Sequence, residues 1–191
     1  MTFFDILIRG GILMIPIAIA SVVGIAIIIA KFIMLKECKI EPEIMMQIEQ
    51  KMRKGDKEGL LEIAKIYGNE KISKLIETGV LYGEDAMRVM ITDEITYANK
   101  YMGGLATIIG IAPLLGFLGT VTGMIRAFMR VQELGGNVNA SVLAGGIWEA
   151  LVTTAAGLAV AIIMYIFYNY FVGKIKTYSQ KLRTIEELLT K

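Results

Sequence analysis

The chain of 191 residues contains no histidine and only one cysteine, Cys38. Without histidine it lacks the commonest metal ligand and the commonest general base near neutral pH. That excludes HExxH-type zinc chemistry and any serine–histidine–aspartate triad. A single cysteine excludes an internal disulfide and a CxxC motif. With no nucleophile–base pair in sight, the sequence gives no ground to expect an enzyme, a metal site or a cofactor. Charge is scarce as well. Only 20% of the residues are Asp, Glu, Lys or Arg, against about 25% in an ordinary soluble domain. A net charge of +2 implies neither a nucleic acid nor a strongly acidic partner.

What is present in excess is apolar. Hydrophobic residues make up 55% of the chain and its mean hydropathy is +0.59. The excess is concentrated in three runs without any charge, residues 10–30, 101–125 and 150–173, of 21, 25 and 24 residues. A spanning helix needs about 20 apolar residues, so each run is long enough to cross a bilayer. Arg9 before an apolar stretch, with Ala18-Ile19-Ala20 resembling a cleavage site, imitates a signal peptide. The apolar run continues past Ala20 to Ala30, so the segment reads as a retained first span.

Lysine and arginine accumulate on cytoplasmic flanks. Lys31, Lys36 and Lys39 follow the first run, Lys100 precedes the second, and Lys174, Lys176, Lys181 and Arg183 follow the third. These groups fit one side of the membrane if there are three spans, with a periplasmic N-terminus and a cytoplasmic C-terminus. Arg126 and Arg130 fall on the other side and require their own explanation.

Between the first two spans, residues 31–100 carry 12 basic and 13 acidic residues, the balance of a solvated insertion. Helical periodicity recurs there with punctuation. Pro42 suits a first helical turn, with Ile44, Met45, Ile48 and Met52 on one face until Gly55. Asp56 is placed to cap a helix bearing Leu60, Leu61 and Ala64 that stops near Gly68. A third helix carries Ile72, Leu75, Ile76 and Val80 up to Gly83. From Glu84 the pattern Met87, Ile91, Ile95, Ala98 enters the second span without a breaker, which predicts one continuous helix from about Glu84 to about Arg130. The third span is expected to continue inward through Ile175, Tyr178, Leu182, Ile185 and Leu189. The fold class is therefore all-α: a polytopic membrane protein with three transmembrane helices, two extended into the cytoplasm, plus short cytoplasmic helices. The divisions are residues 1–33 (first span), 34–100 (cytoplasmic insertion), 101–173 (second and third spans) and 174–191 (C-terminal helix).

The two later spans carry stripes of small residues. Gly116, Gly119, Thr120 and Gly123 lie at i, i+3, i+4 and i+7; Ala150, Thr154, Gly157 and Ala161 form a second helical stripe at i, i+4, i+7 and i+11, beside Glu149, Thr153 and Ala156. In lipid, helices associate through close packing rather than the hydrophobic effect, and small residues permit it. Such stripes either pack on each other or leave their polar members lining a space. Glu149 is the only acid in the 40 residues 134–173, and a charge at the bilayer centre costs about 2.5–3.5 kcal/mol. Two readings stay open from the residues alone. Glu149 faces a pore, or it sits at the outer rim with Arg126 or Arg130 as counter-charge.

The segment "APLLGFLGTVTGMIRAF" followed by "GGIWEALVTTAAGLAVAI" and Tyr168-Asn169 resembles the paired signature of the MotA/TolQ/ExbB proton-channel family. Three spans with a long insertion after the first resemble ExbB and TolQ more than the four-span MotA. The resemblance implies a homo-oligomeric ring, pentameric in its well-studied members, in the bacterial inner membrane. It implies a pair of ExbD/TolR-type single-span subunits in the central pore, whose aspartate carries the proton, and a TonB- or TolA-type periplasmic-spanning partner. Carried over by motif position, Thr120 and Thr154 are the hydroxyls of the proton path and Glu149 is the pore-facing glutamate. The sequence departs from the family pattern twice. Ile163 stands where a proline commonly follows "GLxxAI", and Trp148 replaces a small residue before the glutamate. The short chain and plain insertion favour the ExbB branch over TolQ; the competing reading is a passive scaffold whose stripes only pack helices.

Overall fold

The computed structural model describes residues 11–66, 70–134 and 140–189. Every regular element among them is a helix: α1 (Met14–Glu37), α2 (Pro42–Arg53), α3 (Lys57–Ile66), α4 (Glu70–Tyr82), α5 (Glu84–Asn99), α6 (Met102–Glu133) and α7 (Ala140–Leu189). Three stretches, Met14–Glu37, Glu84–Glu133 and Leu143–Leu188, are long and apolar enough to cross a membrane. The all-α, three-span reading holds. The chain divides into two compact units, one of Met1–Ile29 and Tyr101–Asn169, the other of Ala30–Lys100 and Tyr170–Lys191.

The first unit contains the apolar runs. Its interior is narrow: Ile17 and Ile28 from α1, Leu105, Ile108 and Ala112 from α6, and Ala150, Ala161 and Met164 from α7 are buried. A methyl group at Gly24 of α1 would sit 2.5 Å from Met164 Sδ and 3.5 Å from Ile108 Cδ1, so α1 lies against both other helices. Large apolar side chains such as Val22, Leu114, Phe117, Ile162 and Ile166 point outward. Outward apolar surface of this extent is what a lipid solvent allows.

The second unit is built from short amphipathic helices. Proline stands at the first position of α2, and Ile44 and Ile48 are its buried face. Asp56 Oδ1 accepts the Gly59 amide at 2.9 Å, so the cap expected for α3 is made; Gly68, the expected stop, lies outside the described residues. Gly55 and Gly83 take φ of +65° and +87°, a left-handed geometry that glycine adopts without a Cβ clash. Ile72, Leu75 and Ile76 of α4 and Met87 and Ile91 of α5 are buried, as are Tyr178, Leu182 and Ile185 of α7. Between α4 and α5, Lys71 Nζ lies 3.2 Å from Glu94 Oε2 and 3.7 Å from the Tyr97 ring centroid.

Two expectations need correction. The helix read as continuous from Glu84 is interrupted: α5 ends at Asn99, Lys100 has ψ 139°, and Tyr101 is left-handed at φ 68° before α6 begins at Met102. No proline announces the break. Lys31, taken from the sequence as a solvated flanking charge, is instead fully buried, and its ammonium donates to the Ala98 carbonyl. That carbonyl belongs to the last turn of α5, where the helix has no amide to offer it. The lysine supplies the missing donor and places a positive charge at the negative end of the helix.

Candidate functional site

The site is built on the contact between α6 and α7. Gly116, Gly119 and Gly123 form the buried stripe of α6, extended at each end by Ala112 and Ala127. A methyl group at Gly119 would lie 2.5 Å from Thr153 Cγ2, and one at Gly123 would lie 2.9 Å from Ala150 Cβ. At Gly116 it would meet backbone, 3.0 Å from Thr154 Cα. From the other side, a methyl at Gly157 would collide with the Ala112 carbonyl oxygen, with Gly116 Cα at 3.2 Å. Main chain therefore meets main chain, and the helices approach as only small residues allow. Gly146 against Ala127 Cβ, 2.5 Å from a would-be methyl, extends the seam beyond the glycines read from the sequence.

A polar bond crosses this seam. Thr154 Oγ1 donates to the Gly116 carbonyl at 2.8 Å, using an acceptor on the neighbouring helix instead of its own turn. Thr153, not Thr154, is the threonine fully inside the stripe: it is 1% exposed and its hydroxyl donates to the Glu149 carbonyl at 2.8 Å. The stripe of α7 thus runs Ala150, Thr153, Gly157, Ala161, with Thr154 at its edge. Thr120 is half-buried and donates to the Phe117 carbonyl of its own helix at 2.6 Å. It lines an open groove of about 590 Å³ on α6 with Met124, Phe128 and Gln132, so it is not brought against Thr154 by a direct bond.

At one end of the seam lies an ion pair. Glu149 Oε1 is 2.8 Å from Arg126 Nη2, with side-chain exposures of 27% and 48% respectively. The carboxylate oxygen is off the line for a hydrogen bond, so the contact is held by charge. Arg130, the other candidate counter-charge, is exposed in the last turn of α6. A residue missed from the sequence completes the surroundings. Gly11, at φ +72°, lies so close that a Cβ there would collide with Glu149 Oε1 and sit 3.3 Å from Arg126 Nη2. Its position at the start of an apolar run gave no sign of this; only the tertiary approach of the chain to the pair does. Among the described residues no cluster of His, Cys, Asp and Glu has the makings of a metal site.

Known proteins place this arrangement. The model of the MotA/TolQ/ExbB proton channel family matches residues 69–184, which include α6 and most of α7. A biopolymer transport protein ExbB homolog of Methanothermobacter thermautotrophicus is 33% identical over 98% of this chain and 69% of its own length. An ExbB-like protein of Synechocystis sp. is 29% identical over 85% of the chain and 81% of its own. ExbB of Salmonella typhimurium is 40% identical over 45% of the chain, which covers 35% of that protein. Three apolar helices make the protein a multi-pass membrane protein. On the match of its larger part and the near full-length likeness, the chain belongs to the MotA/TolQ/ExbB proton channel family.

Proposed function

We propose that the chain is the ring-forming subunit of a motor in the inner membrane, driven by the proton-motive force, of the ExbB kind. In this reading several copies, five by analogy with the family, enclose a pair of ExbD-type single-span subunits. The ring energises a TonB-type protein that reaches across the periplasm, and the C-terminus of each copy is cytoplasmic. The observation that carries it is the α6–α7 seam, where side chains are reduced to hydrogen so that Thr154 reaches a main-chain carbonyl across the helices. Beside it stands Glu149, the one acid in residues 134–173. Hydroxyls both donate and accept, so Thr154 and Thr120 can solvate a carboxyl that gains and loses a proton without trapping it as a fixed charge would. In the same reading Glu149 guards one end of this path with Arg126 as its partner. Gly116, Gly119, Gly123, Gly157, Ala150 and Ala161 hold the two helices at the required distance.

The test has two parts. Purified protein is first examined for a ring with a polar lumen. Glu149→Ala and Thr154→Val are then measured, with the partner subunit, for proton flux in liposomes. Assembly intact with flux abolished is expected. Normal flux in both variants would remove the assigned path, and a monomer or a lipid-plugged dimer would return the stripes to packing alone. The TolQ branch differs in partner rather than chemistry, and a functional requirement for a TolA-type protein would select it.

A further inference from the structure

In the second unit, the segment from Phe32 to Pro42 and the stretch of α7 from Tyr170 to Lys181 enclose a cavity of about 490 Å³. Its floor is made of Cys38, Ile40 and Tyr178, each 5% exposed or less. One wall is apolar: Phe32, Leu35 and Tyr170 line it, the two rings 5.8 Å apart and themselves 40% and 48% exposed. The rim is cationic. Lys36, Lys39, Lys174 and Lys181 all border the cavity, and no acid among the described residues does. Lys174 Nζ stands 5.5 Å from the Tyr170 ring centroid, and Lys181 is fixed by donating to the Ile40 carbonyl at 2.6 Å. The acids nearest in sequence, Glu37 and Glu41, are exposed outside the lining, and Glu37 lies 4.0 Å from Lys71.

Position along the chain fixes the depth of this cavity. Lys174 is the first residue after the charge-free run 150–173, and Lys36 stands six residues past the end of the run 10–30. Both runs are membrane spans, so the rim lies where hydrocarbon gives way to headgroups. Basic pockets between spans at that depth suit anionic headgroups, and aromatic rings are enriched there. A free phosphate would occupy the lysines and leave the exposed rings bare. A zwitterionic lipid would cover the rings and leave the charges of Lys36 and Lys174 unmatched. Only one ligand satisfies both surfaces. We propose that the cavity holds an anionic phospholipid of the adjoining leaflet, its phosphodiester between Lys36 and Lys174 and an acyl chain along Phe32, Leu35 and Tyr170. The proposal is independent of the ion path, because none of these residues belongs to the α6–α7 seam.

The experiment is native mass spectrometry of the delipidated full chain with added phosphatidylglycerol or phosphatidylcholine. It is paired with thermal unfolding in the presence of each lipid or of inorganic phosphate. Phosphatidylglycerol should be retained in preference. Each rim lysine removed, as in Lys36→Gln or Lys174→Gln, should weaken its retention about fivefold, the equivalent of about 1 kcal/mol for a basic side chain beside an anionic leaflet. Lys65→Gln, an exposed lysine on α3 outside the cavity, should change nothing. Phe32→Ala should weaken phosphatidylglycerol retention. Lys36 and Lys174 are exposed, so the double variant is expected to fold, and its unfolding temperature in phosphatidylcholine checks this; the single reversal Lys174→Glu gives a second reading. Equal retention of the two lipids overturns the proposal. So does an unchanged preference in the double variant, and so does stabilisation by inorganic phosphate alone that the double variant abolishes.

Discussion

Replacing Gly157 by alanine tests the seam at its tightest point. The added methyl would collide with the Ala112 carbonyl oxygen and stand 3.2 Å from Gly116 Cα. Carbon–oxygen contacts of this kind settle at about 3.3–3.6 Å, so the helices must separate by about 1 Å. Neither obstacle is the end of a flexible side chain; both are main chain, and no rotamer change relieves them. Overpacking of a close-packed site costs about 1–3 kcal/mol, and rigid obstacles place this case at the upper end. Separation also stretches the Thr154–Gly116 bond of 2.8 Å, and interhelical bonds in membranes contribute on average about 0.6 kcal/mol. A loss of about 3 kcal/mol is the result. It is measured by reversible unfolding in mixed micelles, following the helical signal against denaturing detergent. Gly110→Ala is the control on the same fold, because a methyl there meets nothing within 4 Å; it should be neutral or slightly stabilising. Equal stability of Gly157→Ala and wild type would refute the close approach of α6 and α7.

Three further outcomes follow from other contacts. Arg126→Gln and Glu149→Gln should each weaken the first unit, with a coupling of about 1 kcal/mol or less in a double-mutant cycle because both partners are partly exposed; strictly additive effects would deny the pair. Lys31→Met keeps an unbranched side chain one atom shorter but removes the donor to Ala98, and a buried carbonyl left unpaired costs about 1–3 kcal/mol. Hydrogen exchange at the end of α5 should accelerate, and unchanged protection there would contradict the buried lysine. Acid should fray the start of α3. The Lys51 ammonium at 2.7 Å and then the Gly59 amide hold the Asp56 carboxyl below its ordinary range. A carboxyl depressed in the folded state adds stability above its unfolded pKa of about 3.9 and loses it as pH falls through the lower folded value. The Gly59 amide shift should report this step in wild type and lose it in Asp56→Asn.

Much of this architecture was legible because the signals were local. Pro42 at a first turn, Asp56 as a cap and Gly55 and Gly83 as stops act within a few residues of themselves, and the structure follows them. The three spans were legible from length and absence of charge. The break at Lys100–Tyr101 was not, since tyrosine is an uncommon choice for a left-handed position and the apolar period runs through it undisturbed. What marks it is the buried Lys31, 67 residues distant, bonded to the carbonyl of Ala98. In the seam, spacing identified the glycines but not which threonine entered it. Thr153 and Thr154 are adjacent, and the rotation of α7 that buries one and leaves the other at the edge is set by contact with α6. Gly11 beside the ion pair was beyond any local pattern for the same reason.

The seam also constrains how this sequence can drift. Gly123 faces Ala150 and Gly146 faces Ala127, each with room for one methyl and not two. What the fold fixes at these places is therefore the combined volume of a pair rather than the identity of either member. Gly123→Ala alone should destabilise, while Gly123→Ala with Ala150→Gly moves the methyl across the interface and should restore most of the loss. Relatives that differ at one member of such a pair are expected to differ in the opposite sense at the other, so the two helices record each other's history.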